Sequence, residues 1–202
     1  KMIDTGLKYY PGYTDLEYLR GCLYHKQHKY TLSIKSLEKC IEMGEPLPHL
    51  SFILGVGSYR AYHALSEIYL ELEDYDKSYI FCIESLKSKP NFLVPLYRIA
   101  KILIKKGNSI ESIKSVLEGF FGLNLDGPAY IVLSDIFFSE GRYEIALDYL
   151  LKAETFMKES LKILYSKGVC LLCLKDFKRA YDCFSKIESG EFYESAVYNM
   201  AL

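Results

Sequence analysis

Residues 59–91 read YRAYHALSEIYLELEDYDKSYIFCIESLKSKPN. An amphipathic helical stretch runs into a tight polar turn, and a second amphipathic stretch follows. Residues 127–153, GPAYIVLSDIFFSEGRYEIALDYLLKA, repeat the pattern, and so do residues 161–187, LKILYSKGVCLLCLKDFKRAYDCFSKI. Aligned on their turns, these copies start at 59, 127 and 161, and a further copy starts at Leu93. Each start falls 34 residues after the previous one, the period of a stack of helical hairpins in which each hairpin buries its apolar face on the next.

The register carries physical content. Antiparallel helices approach closely only where side chains are small. The small positions are Ser66, Ala100, Ser134 and Gly168 on the first helices, and Ser78, Ser112, Ala146 and Ala180 on the second. Large residues fill the space between them: Leu65, Tyr69, Ile99, Leu103, Leu133, Phe137, Leu164 and Leu171. Tyr75, Tyr143 and Phe177 close the turns. Pro90 ends a second helix, because it lacks an amide donor. Pro95 and Pro128 fall in first turns, where proline is tolerated.

An earlier copy starts at Thr14, with Gly21, Tyr24, Tyr30, Ser33, Leu37 and Cys40 in matching places. Thr14 and Glu17 have the spacing of a capping box. This copy is 11 residues longer than the period, and the surplus lies in the Gly- and Pro-rich stretch from Gly44 to Ser58. The expected division is the end of a preceding repeat (1–13), repeat 1 (14–47), an inserted loop (48–58), repeats 2 to 5 (59–92, 93–126, 127–160 and 161–194) and the start of a further helix (195–202). The array is expected to continue beyond one or both ends. The apolar end faces are expected to be covered, for example in a homodimer.

With these positions the chain resembles the tetratricopeptide repeat family over nearly its whole length. The resemblance implies an all-α, right-handed α-α superhelix of about five hairpins, with no enzymatic activity of its own. The copy at Leu93 departs most, with Ile110 where an aromatic is usual, Gly119 at a small-residue site, and Phe120-Phe121-Gly122 after it. A second resemblance covers residues 10–69. It is to the repeat region that follows the catalytic domain of some bacterial family 2 glycosyltransferases. Its distinctive strings are Tyr13-Thr14-Asp15-Leu16, Cys40-Ile41-Glu42-Met43-Gly44 and Gly55-Val56-Gly57-Ser58-Tyr59-Arg60. It implies a catalytic domain upstream of Lys1 in the same polypeptide, served by a region that positions the acceptor or dimerises the enzyme.

Half of the 202 residues are hydrophobic, which supplies a core. The net charge is −1, without the positive field that a sequence-independent nucleic-acid binder needs. The Lys105–Lys106 pair reads as a solvated helix end. No apolar run is long enough to span a bilayer, and no signal peptide is visible. The six cysteines read as reduced core residues of a cytoplasmic protein. The expected partner is therefore a protein or peptide, with no nucleic acid, membrane or cofactor involved.

Short motifs point the same way. Asp74-Tyr75-Asp76 has the form of a glycosyltransferase metal motif, but it occupies a hairpin turn, where Gly141-Arg142-Tyr143-Glu144 stands in another copy. Gly55-Val56-Gly57-Ser58 follows a helix and not a strand, and lacks the lysine of a phosphate loop. It reads as a linker with a possible contact role at the groove rim. Cys170 and Cys173 lie inside an apolar helix, without the second pair that a zinc site needs. His25 and His28 could share a helix face, but no third ligand or nucleophile accompanies them.

The resemblance to tetratricopeptide repeats implies a concave groove lined by the first helices. Carried over by position, its residues are Asp15, Tyr18, Cys22, His25 and Lys26, then Arg60, His63, Glu67, Leu70 and Glu71. They continue with Tyr97, Lys101, Ile104 and Lys105, then Ile131, Asp135, Phe138 and Ser139, and finally Tyr165, Val169, Leu172 and Cys173. The first three copies carry charges of both signs, suited to hydrogen-bonded peptide recognition. The last two are apolar and aromatic, suited to a hydrophobic anchor or to burial against another helix. Some members of the family clamp a C-terminal carboxylate with Lys and Asn. Here Tyr18 and Cys22 stand where that clamp would start and Arg98 is its sole remnant, so chaperone-tail binding is not expected.

Overall fold

The computed structural model describes residues 2–46, 53–122 and 125–201. Residues 48–52 of the expected inserted loop lie outside the described residues, as do 1, 47, 123–124 and 202. The described residues hold twelve α-helices and no strand, so the fold class is all-α, built from helical repeats. The chain forms two compact units. Unit 1, Lys1–Gly107, holds α1 (Met2–Tyr9), α2 (Thr14–Lys26), α3 (Tyr30–Met43), α4 (Tyr59–Glu71), α5 (Tyr75–Ser88) and α6 (Val94–Lys105). Unit 2, Asn108–Leu202, holds α7 (Ile110–Gly119), α8 (Gly127–Ser139), α9 (Tyr143–Phe156), α10 (Leu161–Cys173), α11 (Phe177–Phe184) and α12 (Tyr193–Met200).

In unit 1 each helix packs on the next in chain order, and the first helices also touch, α2 on α4 and α4 on α6. Leu37, Leu65 and Ile68 are fully buried at its centre, walled by Tyr18, Tyr30, Tyr69 and Phe81. In unit 2, α8 pairs with α9 and α10 with α11, around fully buried Phe137, Tyr149 and Phe184. The last helix begins at Tyr193, two residues before the expected start, and leaves Tyr193, Val197 and Tyr198 exposed.

The hairpin turns share one device. His28, Glu73, Gly107, Gly141 and Lys175 hold the same place in successive copies, and all have positive φ, between 55° and 74°. The amide after each of four of them donates back to the carbonyl five residues earlier: Lys29 to Tyr24, Asp74 to Tyr69, Arg142 to Phe137, and Asp176 to Leu171, all at 2.9 Å. This is the Schellman ending, which satisfies orphan helix carbonyls and reverses the chain. His28 thus stands in the turn beyond α2, and it does not share a helix face with His25 as the spacing suggested. Both rings contact Tyr30 instead.

Within the hairpins of unit 1, hydroxyls at the small positions make buried bonds. Ser33 Oγ donates to the Gly21 carbonyl at 2.7 Å, and Ser78 Oγ to the Ser66 carbonyl at 2.6 Å. Two helix turns further on, Ser85 Oγ donates to the Tyr59 carbonyl at 2.8 Å. In the α8–α9 and α10–α11 hairpins of unit 2 the matching positions are Ala146, Ala153 and Ala180, and the close approach is apolar: Gly168 leaves no room for a Cβ beside the Phe184 ring.

The described part of the inserted loop is tied down. Ile53 N–H donates to Asp15 Oδ1 and Gly55 N–H to Glu45 Oε2, both at 3.0 Å, and Ser58 Oγ reaches Glu45 Oε1. Gly57 lies against the backbone of Gly44, where a Cβ would collide with the Gly44 carbonyl. The expected capping box is replaced by longer-range contacts. Thr14 Oγ1 donates to the Gly44 carbonyl at 3.2 Å, and buried Glu17 pairs with Arg20 and Lys39 at 2.6 and 2.7 Å. Glu17 stays in the first turn of α2, whose N-cap residue is Tyr13 and not Thr14, so the box has no cap to complete.

Candidate interaction site

Among the first helices of unit 1, α2 and α4 enclose a cleft of about 340 Å³. It is lined by Tyr18, Cys22, His25 and Lys26 from α2, by His63, Ala64 and Glu67 from α4, and by Leu37 beneath. Six of the positions expected in a groove, Tyr18, Cys22, His25, Lys26, His63 and Glu67, are thereby brought together. Helical spacing explains this: Tyr18, Cys22 and His25 stand one turn apart on α2, and His63 and Glu67 one turn apart on α4. Glu71 joins through His25, whose Nε2 lies 3.1 Å from Glu71 Oε2.

The electrostatics of the cleft are set by burial. Burial foremost pushes up both the Tyr18 hydroxyl and the Cys22 thiol, which keeps both neutral at pH 7. His63 is pushed down to about 4 by burial, then by the nearby Arg98 and Arg60 guanidinium groups. Burial works to raise the Glu71 carboxyl, but hydrogen bonds from His25 and Tyr30 outweigh it, and the net direction is down.

Arg98, on α6, which the sequence offered only as the remnant of a carboxylate clamp, organises the cleft wall. Nη1 lies 3.0 Å from His63 Nδ1, donates to the His63 carbonyl at 3.0 Å and reaches Ser66 Oγ, while Nη2 stands 3.7 Å from Glu67 Oε2. The available signal was a lone arginine between the core residues Leu96 and Ile99. Other expected groove residues stand elsewhere. Asp15 is 3% exposed, because it serves the backbone of Ile53. Arg60 donates from Nε to the Leu54 carbonyl at 2.8 Å. Tyr97 is half-buried, and Lys101 and Lys105 are exposed on α6. None of these five lines the cleft.

In unit 2, Ser134, Asp135, Phe138, Tyr165, Ser166, Val169 and Cys170 surround a smaller hollow of about 150 Å³. Tyr165 stacks on Phe192 at 5.1 Å, and its hydroxyl accepts from Asn199 Nδ2 at 3.3 Å. Asp135 is pushed up by burial, only partly offset by Lys162. Ile131 is buried in the fold, and neither it nor Leu172 lines the hollow.

The short motifs have structural places. Asp74 caps α5 by accepting from the Lys77 amide, and Asp76 pairs with Lys106 at 2.6 Å. Cys170 is buried inside α10 and Cys173 exposed near its end, and all six thiols are unpaired. No three His, Cys, Asp or Glu side chains converge as metal ligands among the described residues. Nor is any helix there long and apolar enough to cross a membrane.

Such a molecule belongs to the class of helical-hairpin repeat proteins. Residues 18–43 and 59–92 match the family described as tetratricopeptide repeat, and both stretches fold as parts of helical hairpins. The TPR repeat-containing protein MJ1428 of Methanocaldococcus jannaschii is 31% identical over 117 residues. That stretch is 57% of this chain but only 20% of the relative, so the chain spans about a fifth of that protein. Among solved structures, YrrB, a TPR protein with an unusual peptide-binding site, is similar with a TM-score of 0.50 at 14% identity, over 100% of this chain and 99% of that one. A chain of the APC/C hetero-tetramer Cut9-Hcn1 has the same score and identity over 91% of this chain and 34% of that one. These likenesses establish the fold.

Proposed function

We propose that the chain is a non-catalytic scaffold that holds a protein or peptide segment in the α2–α4 cleft of unit 1. The observation that carries this reading is the cleft itself, which joins an aromatic wall, one cation (Lys26), one anion (Glu67) and a half-buried imidazole (His63). A lining of mixed sign suits a main chain with alternating donors and acceptors, and the apolar floor supplies a side-chain pocket. YrrB, of the same fold, is described as binding peptide. The reading includes the repeat division given above, and Asp135, Phe138, Tyr165 and Val169 as an apolar anchor point in unit 2. It also includes pairing of two copies through the apolar face of α12, which light scattering over a concentration series checks. The test of the main reading is affinity capture followed by titration of the captured partner. Charge reversal at Lys26 and Glu67 should weaken binding at least fivefold, on the order of one kcal/mol, and leave the helical circular dichroism unchanged. Unchanged affinity in both variants removes the cleft from the reading.

A second reading, that the region serves a glycosyltransferase carried in the same polypeptide, is favoured by one observation. The three strings that resemble such enzymes converge in space: Thr14 bonds Gly44, Cys40 Sγ points at the Thr14 carbonyl, and Asp15 and Glu45 hold the loop around Gly55. A shared local structure is what a common module would preserve. The coding sequence upstream of Lys1 tests it: an α/β pattern with an Asp-x-Asp after a strand supports the reading, and further hairpins alone refute it.

A further inference from the structure

We propose that His63 selects the ligand of the cleft by presenting a fixed Nε2–H donor to an oxygen acceptor, with Arg98 as the positioning residue that fixes its tautomer. The inference rests on the peptide-binding reading above and names the chemistry that the site would recognise.

The argument begins with what each group can do. A guanidinium has only donors. Arg98 Nη1 lies 3.0 Å from His63 Nδ1, so Nδ1 is the acceptor of that bond. A neutral imidazole that accepts at Nδ1 carries its single proton at Nε2, on the far edge of the ring. The alternative, a doubly protonated ring, would set two cations donor against donor in a buried place. The charged and titratable groups around the ring come from three helices: Arg98 on α6, Arg60 and Glu67 on α4, and His25 and Lys26 across the cleft on α2. The two arginines reinforce burial in keeping the ring neutral.

The ring is also held in place. Phe92 meets it edge to face at 5.3 Å and 88°, and Arg98 Nη1 and Ser66 Oγ both donate to the His63 carbonyl. No partner for Nε2 is found among the described residues, and His63 lines the cleft. A donor fixed on the cleft wall favours a ligand that supplies an oxygen acceptor over one that presents another donor. The ligand class is therefore a peptide segment that places a main-chain carbonyl, a side-chain amide oxygen or a carboxylate at this point. A segment that places Lys or Arg there meets a donor and is rejected.

Two measurements test this on the full chain. The first is a long-range 1H–15N spectrum of the ligand-free protein. It should show His63 as the single Nε2–H tautomer at pH 7, unprotonated until well below its ordinary range. A Nδ1–H tautomer, a mixture, or protonation near pH 6.5 overturns the inference whatever the protein binds. The second uses peptides selected on the chain from a random displayed library. His63→Ala should weaken a cleft-bound peptide about five- to tenfold, the worth of one hydrogen bond. His63→Gln, which keeps an N–H donor, should restore most of that loss, and Arg98→Gln should make binding newly pH-dependent near neutrality. A peptide that binds wild type and His63→Ala equally overturns this inference and leaves the peptide-binding reading standing. If no selected peptide perturbs the cleft resonances, the reading itself fails and the inference falls with it.

Discussion

The hairpins of unit 1 are closed by buried hydroxyls, and those of unit 2 by apolar contact. Ser33, Ser78 and Ser85 each donate to a carbonyl of the facing helix, where unit 2 has alanine and stacks Phe137 on Tyr149 at 5.6 Å. The same register, spaced by the same period, thus admits two solutions to close helix approach. One gives directional bonds and a polar cleft above them. The other gives an aromatic core and a small hollow. All four histidines also lie in unit 1, at 25, 28, 49 and 63, so only unit 1 carries side chains that ordinarily titrate near pH 6.5.

The strongest way to break this contrast is Phe137→Ala. Truncating a fully buried aromatic should cost about 3–5 kcal/mol. Denaturant unfolding with hydrogen exchange should place the loss in α8 and α9. An equal loss of protection throughout unit 1 would mean that the two closures are not energetically separate.

Acid comes next. His63 is held at about 4 in the folded state against an ordinary 6.5. The unfolded chain therefore binds a proton first, and stability is full above about 6.5 and falls as pH drops toward about 4. Asp135 in unit 2 works in the opposite sense. Its folded value is raised by burial, so its contribution is full at low pH and lost as pH rises. Melting temperature should decline between pH 6.5 and 4, with exchange protection lost in unit 1, and His63→Gln should flatten the profile. A decline unchanged in that variant would assign the acid sensitivity to another group.

The serine bonds should each be worth about 1 kcal/mol. Ser78→Ala and Ser85→Ala should lower stability by that order, whereas Ala146→Ser, which adds a hydroxyl facing the Ser134 turn, should change little. If Ala146→Ser stabilises as much as Ser78→Ala destabilises, both units share one closure geometry, and only residue choice separates them.

The smallest effect concerns a feature common to both units. Glu73 and Lys175 hold left-handed turns, in which an ordinary side chain costs about 1–2 kcal/mol. Glycine there carries its own entropy cost of roughly 0.5–1 kcal/mol. Glu73→Gly and Lys175→Gly should therefore each raise stability by about 0.5 kcal/mol by thermal melting. A loss of stability would mean that their side chains make contacts worth more than the strain.

Periodicity by itself determined the helices, their pairing into hairpins and which positions are small, because a 34-residue repeat leaves few ways to bury alternate faces. The resemblance to tetratricopeptide repeats, carried over by position, assigned Tyr18, His25, Lys26, His63 and Glu67 to one groove, and helical spacing puts those of each helix on a shared face. Periodicity did not announce the left-handed turn residue, because glycine marks that place in only two of five copies and backbone reversal imposes it on the rest. It treated Ser33 and Ser78 as small residues, whereas close packing made them donors. The resemblance offered Asp15 to the groove, and the inserted loop drew it inward to satisfy a backbone amide. Only the tertiary structure set Arg98 against His63, 35 residues away, since the pairing depends on how α6 docks on α4 and not on any local pattern. A repeat spells out its own scaffold, but the protonation state of a group inside it depends on neighbours that the repeat does not specify.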